Sequence, residues 1–94
     1  MIDQDSIRHK GLKEFCEKGR SKSVSQMLSN RIVNRMAALE AAREIGDLNT
    51  PSLRVHKLAG RQRGRFAIWV NGPWRMTFRF RAETVYDLDL EQYH

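Results

Sequence analysis

Cysteine is almost absent from this sequence, since Cys16 stands alone; no internal disulfide can form and no second thiol completes a zinc knuckle. A lone thiol of this kind reads as a core residue. Long apolar runs are missing too. None approaches the roughly 18 residues that a membrane-crossing helix needs, and MIDQDSIRHK at the start has no hydrophobic stretch of the signal-peptide kind. These absences predict a cytoplasmic protein with no membrane partner. Metal-ligand spacing is lacking as well, because His9, His56 and His94 have no helical i, i+4 partner. GRQRGR at 60–65 contains glycines but not the Lys-Ser/Thr ending of a phosphate loop. With 94 residues there is room for one domain, 1–94, around one core.

What the chain does have is positive charge, with Lys and Arg numbering 17 against 11 Asp and Glu, a formal net charge of +6. The excess is regional. From Arg54 to Arg81 come Arg54, Lys57, Arg61, Arg63, Arg65, Arg75, Arg79 and Arg81, with no Asp or Glu between them. A basic stretch of that kind points to a polyanionic partner rather than to solubility alone.

Hydrophobic spacing divides the chain in two. Residues 1–10 suggest an extended piece or a short strand around Ile7. Leu12, Phe15 and Cys16 recur at i, i+3, i+4 and predict a short helix ending near Gly19. Ser23 and Gln26 have the form of a capping box opening a longer helix. Its buried stripe would be Val24, Met27, Leu28, Ile32, Met36 and Leu39, its stop Gly46, and Arg31, Asn34, Arg35 and Arg43 would be solvated. After Pro51 the period falls to two. RFAIWV and WRMTFRF alternate as strands around Asn71-Gly72-Pro73, and TVYDLDLEQY follows as a third. The fold class is therefore α+β, two N-terminal helices on a small antiparallel sheet.

Pairing Val70 with Trp74 aligns Ile68 with Met76, Phe66 with Phe78 and Trp69 with Arg75. For the next hairpin, pairing Phe80 with Tyr86 aligns Phe78 with Leu88, Met76 with Leu90 and Arg79 with Asp87. Helices would cover the apolar face, leaving Arg65, Trp69, Arg75 and Arg79 outward with the odd-numbered residues of the last strand, through Glu91 and Tyr93. The acids Glu83, Asp87, Asp89 and Glu91 read as ion-pair partners of Arg79 and Arg81.

On that outward face a metal-free cleavage of RNA is conceivable, in which a ribose 2′-OH attacks its own phosphate. Such chemistry needs a base, an acid and cations that stabilise the phosphoryl oxygens. Arg75 is placed to grip phosphate bidentately. Tyr93 falls on the same face, and His56 and His94 supply imidazoles, the side chain suited to proton exchange near neutral pH. Each of these residues has an ordinary structural reading by itself; their conjunction favours the functional one.

The chain resembles the HigB-type toxins of the RelE/ParE toxin–antitoxin superfamily. The resemblance runs through HKGLKEFCEKG, DLNTPSLRVHKLAG, GRFAIWVNGPWRMTFRF and YDLDLEQYH, with the Trp-Arg pair and the terminal Tyr-His its most specific parts. It implies a RelE-like, microbial ribonuclease-like fold and a ribosome-dependent endoribonuclease that cuts mRNA in the A site without a cofactor or metal. By position, His56, Arg75, Tyr93 and His94 match the family's catalytic residues. Lys57, Arg61, Arg63 and Arg65 would meet RNA backbone, with Trp69 and Gln92 also on the RNA side. The implied partners are the 70S ribosome and mRNA, a HigA-type helix-turn-helix antitoxin, and operator DNA through that antitoxin. Two departures stand out: Ala59-Gly60 where relatives often have Lys-Gly, and Gln92 where many have an acid. The alternatives are a gyrase poison of the ParE kind, and a catalytically weak antitoxin-binding or corepressor module.

Overall fold

The computed structural model describes residues 1–19 and 26–92. Helix α1 spans Lys10–Lys18, capped at its start by His9, whose ring nitrogen accepts from Leu12 N, and at its end by Gly19 with φ 75°. Only glycine adopts that left-handed turn without a Cβ penalty, so the predicted stop is where the chain places it. Leu12 and Phe15 are buried. Helix α2 spans Gln26–Ala41 and buries Leu28, Ile32 and Leu39, with Met36 half-buried. The expected cap Ser23, Val24 and the side chain of Met27 lie outside what is described.

The longer helix ends earlier than Gly46. The Asp47 carboxylate accepts from the amides of Arg43 and Glu44 (2.9 and 3.3 Å), capturing donors that would otherwise bond back into the helix. Ile45–Leu48 then forms a separate 3-10 turn with reciprocal capping between Glu44 and Asp47. Arg35 also departs from expectation. It is 6% exposed and donates from Nε to Trp69 O (3.0 Å) and from Nη2 to Ser52 O (3.1 Å). Helical periodicity assigns a residue to a flank of the stripe, but a long guanidinium on that flank can reach under the helix to unpaired carbonyls.

The sheet is antiparallel in the order β1 (His56–Lys57), β2 (Phe66–Asn71), β3 (Trp74–Arg81), β4 (Thr84–Gln92). Ile68, Val70, Met76, Phe78, Val85 and Leu88 are fully buried under the helices. The β2–β3 register holds as predicted from Phe66↔Phe78 to Trp69↔Arg75, then shifts so that Asn71, not Val70, faces Trp74. Gly72 and Pro73 alone make the turn, with Gly72 at φ 55°. In β3–β4 the pairing Met76↔Leu90 holds, but a bulge moves the far end to Arg79↔Tyr86 and Phe80↔Val85. Asp87, at φ 52°, marks the extra residue. The bulge turns Val85 into the core while keeping Leu88 and Leu90 there; strict alternation would have buried Tyr86 instead.

The amino-terminal segment runs along the open edge of β4. Ile2 bridges Val85 in parallel, Arg8 N donates to Leu88 O (2.8 Å), and Ser6 Oγ accepts from Asp87 N at the bulge (2.9 Å). The strand contact expected around Ile7 is thus made mainly at Ile2 and Arg8, and Ile7 itself is buried beside the short turn Gln4–Ser6. Covering an edge in this way satisfies backbone groups that would otherwise template association. Among the described residues no helix is long and apolar enough to cross a membrane.

Candidate active site

Cross-strand partners share a face of the sheet, so the register sets His56, Ala67, Thr77 and Asp89 in one row, and Trp69, Arg75 and Glu91 in the next row toward the β2–β3 turn. These rows lie opposite the core face. His56 and Arg75 occupy strands two apart and adjacent rows, which puts about 12 Å between their backbones.

The half of this face nearer the β3–β4 hairpin is closed. The segment after β1 folds back, Leu58 N donating to Arg65 O (2.9 Å), and brings Arg65 down onto β3. Arg65 was expected outward and RNA-facing; it is instead 3% exposed, with Nη2 donating to Thr77 Oγ1 and to Asp87 O, both at 2.8 Å. The extra residue of the bulge presents that carbonyl. The Thr77 hydroxyl donates in turn to Glu91, which also accepts from the Gln62 amide at 3.2 Å. Burial pushes the Arg65 guanidinium below its ordinary pKa, and nearby Arg8 adds to the shift. A cation so enclosed secures the loop to the sheet rather than meeting a phosphate.

Ion pairing here centres on Asp87, with Arg8 at 3.7 Å and Arg79 at 3.9 Å. Arg81 was expected to join them, but the bulge sets it opposite Thr84, and among the described residues it makes no ion pair. Arg61 and Arg63 are exposed on the loop, and Lys57 is exposed on β1.

The other half of the face is open. Arg54, His56, Trp69, Trp74 and Arg75, with the turn Gly72-Pro73, line a cleft of about 390 Å³ in which, among the described residues, there is no carboxylate. Trp69 is pinned at every polar group: its N donates to Leu53 O (2.7 Å), its O accepts from Arg35, and its ring N–H donates to Gly72 O (3.0 Å). His56 Nδ1 lies 3.1 Å from Arg54 O. A carbonyl oxygen only accepts, so this contact calls for a proton on Nδ1, and in the neutral ring the lone pair is then on Nε2.

Three arginines that contact Trp69 escape a reading of the sequence. Arg31 and Arg35 belong to α2 and were expected in solvent, while Arg54 counted only as part of the basic run. The signal for Arg54 is weak, a non-glycine residue at φ 50° shortly after Pro51. Gln92 is exposed and pairs with Trp74 at the rim of the cleft. Tyr93 and His94 follow it in sequence and lie outside the described residues.

A strand of RNA laid over this face would meet guanidinium, imidazole and indole together. Residues 5–94 match the HigB-like toxins, described as RelE-like toxins of type II toxin–antitoxin systems. The chain belongs to this family. It is 40% identical over 89 residues to Endoribonuclease HigB of Proteus vulgaris, a match covering 95% of this chain and 97% of that protein. A HigB-like toxin has a protein partner, the antitoxin of its system.

A second hollow of similar size lies between α1 and α2 of this HigB-like chain, lined by Phe15, Cys16, Val33 and Met36 among others and by no cation among the described residues. Burial pushes the Cys16 thiol up, with Glu40 and Glu17 adding to the shift, so the sulfur is a poor nucleophile.

Proposed function

We propose that this toxin is an endoribonuclease that cuts mRNA in the ribosomal A site by attack of a ribose 2′-OH on its own phosphate. The observation that carries the proposal is the cleft itself, in which Arg75, His56 and Trp69 face a space lined by no acid among the described residues, in a chain of the HigB-like family. Arg75 grips the scissile phosphate and stabilises the charge that develops on its oxygens. His56, held by its Nδ1–H on Arg54 O, takes the 2′-OH proton on Nε2. Tyr93 and His94 follow β4 where Gln92 pairs with Trp74, and we assign them to stabilising the phosphorane and protonating the departing 5′-oxygen. The 2′-oxygen forms a bond to phosphorus, the 5′-oxygen leaves with a proton, and the products are a 2′,3′-cyclic phosphate and a 5′-OH.

Lys57 on β1 and Arg61 and Arg63 on the loop after it are exposed and suited to messenger or ribosomal RNA backbone. The antitoxin is assigned as a HigA-type helix-turn-helix protein that would place the complex on operator DNA. The test is primer extension on 70S ribosomes programmed with mRNA and treated with purified toxin. New 5′ ends inside the A-site codon are expected. Equal cutting of ribosome-free RNA would overturn ribosome dependence, and DNA breaks with gyrase in place of RNA ends would favour a ParE-like poison.

A further inference from the structure

We infer that Arg54, mounted on the Trp69 indole, forms a second binding position for an RNA phosphodiester, beside the one held by Arg75. This rests on the cleft being the RNA site. The Arg54 guanidinium carbon stands 4.4 Å from the Trp69 ring centroid and that of Arg31 stands 5.3 Å from it. Held by the face of a π-system, a guanidinium keeps its N–H donors for other work. Among the described residues Arg54 makes no ion pair and its side chain makes no hydrogen bond; Arg31 uses Nη1 on Val70 O (3.3 Å).

Two guanidinium groups thus lie against one indole, and among the described residues no carboxylate lines the cleft beside Arg54. An anion entering the cleft would meet the Arg54 guanidinium with no acid competing for it among the described residues. Everything beneath that guanidinium is made rigid. Trp69 is tied at its backbone N, its O and its ring N–H, and Arg35 secures both Trp69 O and Ser52 O from below. The Arg54 backbone sits at φ 50°, a conformation that costs a non-glycine residue energy, held by its N donating to Thr50 O (3.1 Å). Strain kept at a residue whose side chain lines a cleft points to use of that side chain.

The position lies on the cleft wall next to His56, while Arg75 stands across the sheet, so a strand gripped by Arg75 extends one of its flanking phosphates toward Arg54. Phosphate here is recognised by charge and by the planar donor fork, without reading a base. Arg54→Gly removes the guanidinium, relaxes the backbone and keeps the carbonyl that orients His56, so it separates binding from positioning.

The experiment measures dissociation constants, against salt concentration, of wild type, Arg54→Gly and Arg54→Lys for ribosomes programmed with 2′-O-methylated mRNA and for ribosomes without mRNA. Arg54→Gly is expected to bind programmed ribosomes about tenfold more weakly, with a salt slope shallower by about 0.7 for one lost phosphate contact on a single strand. Arg54→Lys should recover part of both. A loss confined to programmed ribosomes identifies the phosphate as mRNA; an equal loss on empty ribosomes identifies it as ribosomal RNA. Unchanged affinity and slope in Arg54→Gly, in a preparation whose wild type cuts mRNA, overturns this inference alone. A wild type that neither cuts nor binds programmed ribosomes overturns it together with the proposed function.

Discussion

Arg65 and Arg54 come from the same acid-free stretch of sequence and differ in nearly everything else. Arg65 points inward beneath its own loop, bonded to Thr77 and to the carbonyl of the Asp87 bulge. Arg54 lies on an indole in an open cleft with no lining acid among the described residues. The same residue type therefore does two jobs on one face of one sheet. Near the β3–β4 hairpin, guanidinium groups hold strands and loop together through Asp87, Thr77 and their neighbours. Near the β2–β3 turn they are arranged around a space of nucleotide size. Local charge count does not separate these roles; what separates them is whether protein oxygen atoms are already within reach.

The comparison is broken most severely at Arg75. Arg75→Ala should lower single-turnover cleavage on programmed ribosomes by about 100-fold or more, the usual cost of removing a donor to a developing oxyanion, with an unchanged urea midpoint. Cleavage within tenfold of wild type would make Arg75 a structural arginine like Arg65. The opposite pattern is expected at Arg65. Arg65→Ala should lose about 2 kcal/mol of stability, because the Thr77 hydroxyl and Asp87 carbonyl lose a buried donor, while residual folded protein still cuts. Arg65→Met should cost less, since it fills the space and removes the guanidinium nitrogens Nε and Nη1 that are buried without a partner. Urea titration of the two variants decides this. Arg81→Ala, at an exposed position with no ion pair among the described residues, should change stability by no more than about 0.5 kcal/mol and leave cleavage unaltered. A larger loss would show that the ion pairs expected for it form in solution.

Much of the scaffold was legible beforehand because period and end signals act locally. Gly19 closes α1 for the reason its position suggested, and the β2–β3 pairing from Phe66 to Trp69 follows from keeping Ile68 and Phe66 opposite Met76 and Phe78. The bulge at Asp87 was hidden because an added residue changes the face of everything beyond it, although Val85 and Leu88, three apart, already disagreed with strict alternation. Buried arginines were the larger loss. Period tells which side a Cβ takes, but not whether a long side chain returns beneath the backbone, as Arg35 and Arg65 do. In the candidate site, His56, Trp69 and Arg75 were named from residue type and register and do line one cleft. The placement of Arg54 was missed because it comes from a left-handed turn and from stacking on a residue on another segment, neither of which a linear pattern records.

The most direct test of this division of labour is a structure of the toxin on a ribosome carrying mRNA with a 2′-O-methyl group at the A-site codon. The expected result is the RNA backbone in the cleft, with phosphates on Arg75 and on Arg54, and Arg65 still bonded to Thr77 beneath its loop. RNA bound across the loop with Arg65 drawn out to meet it, and an empty cleft at Trp69, would contradict the account.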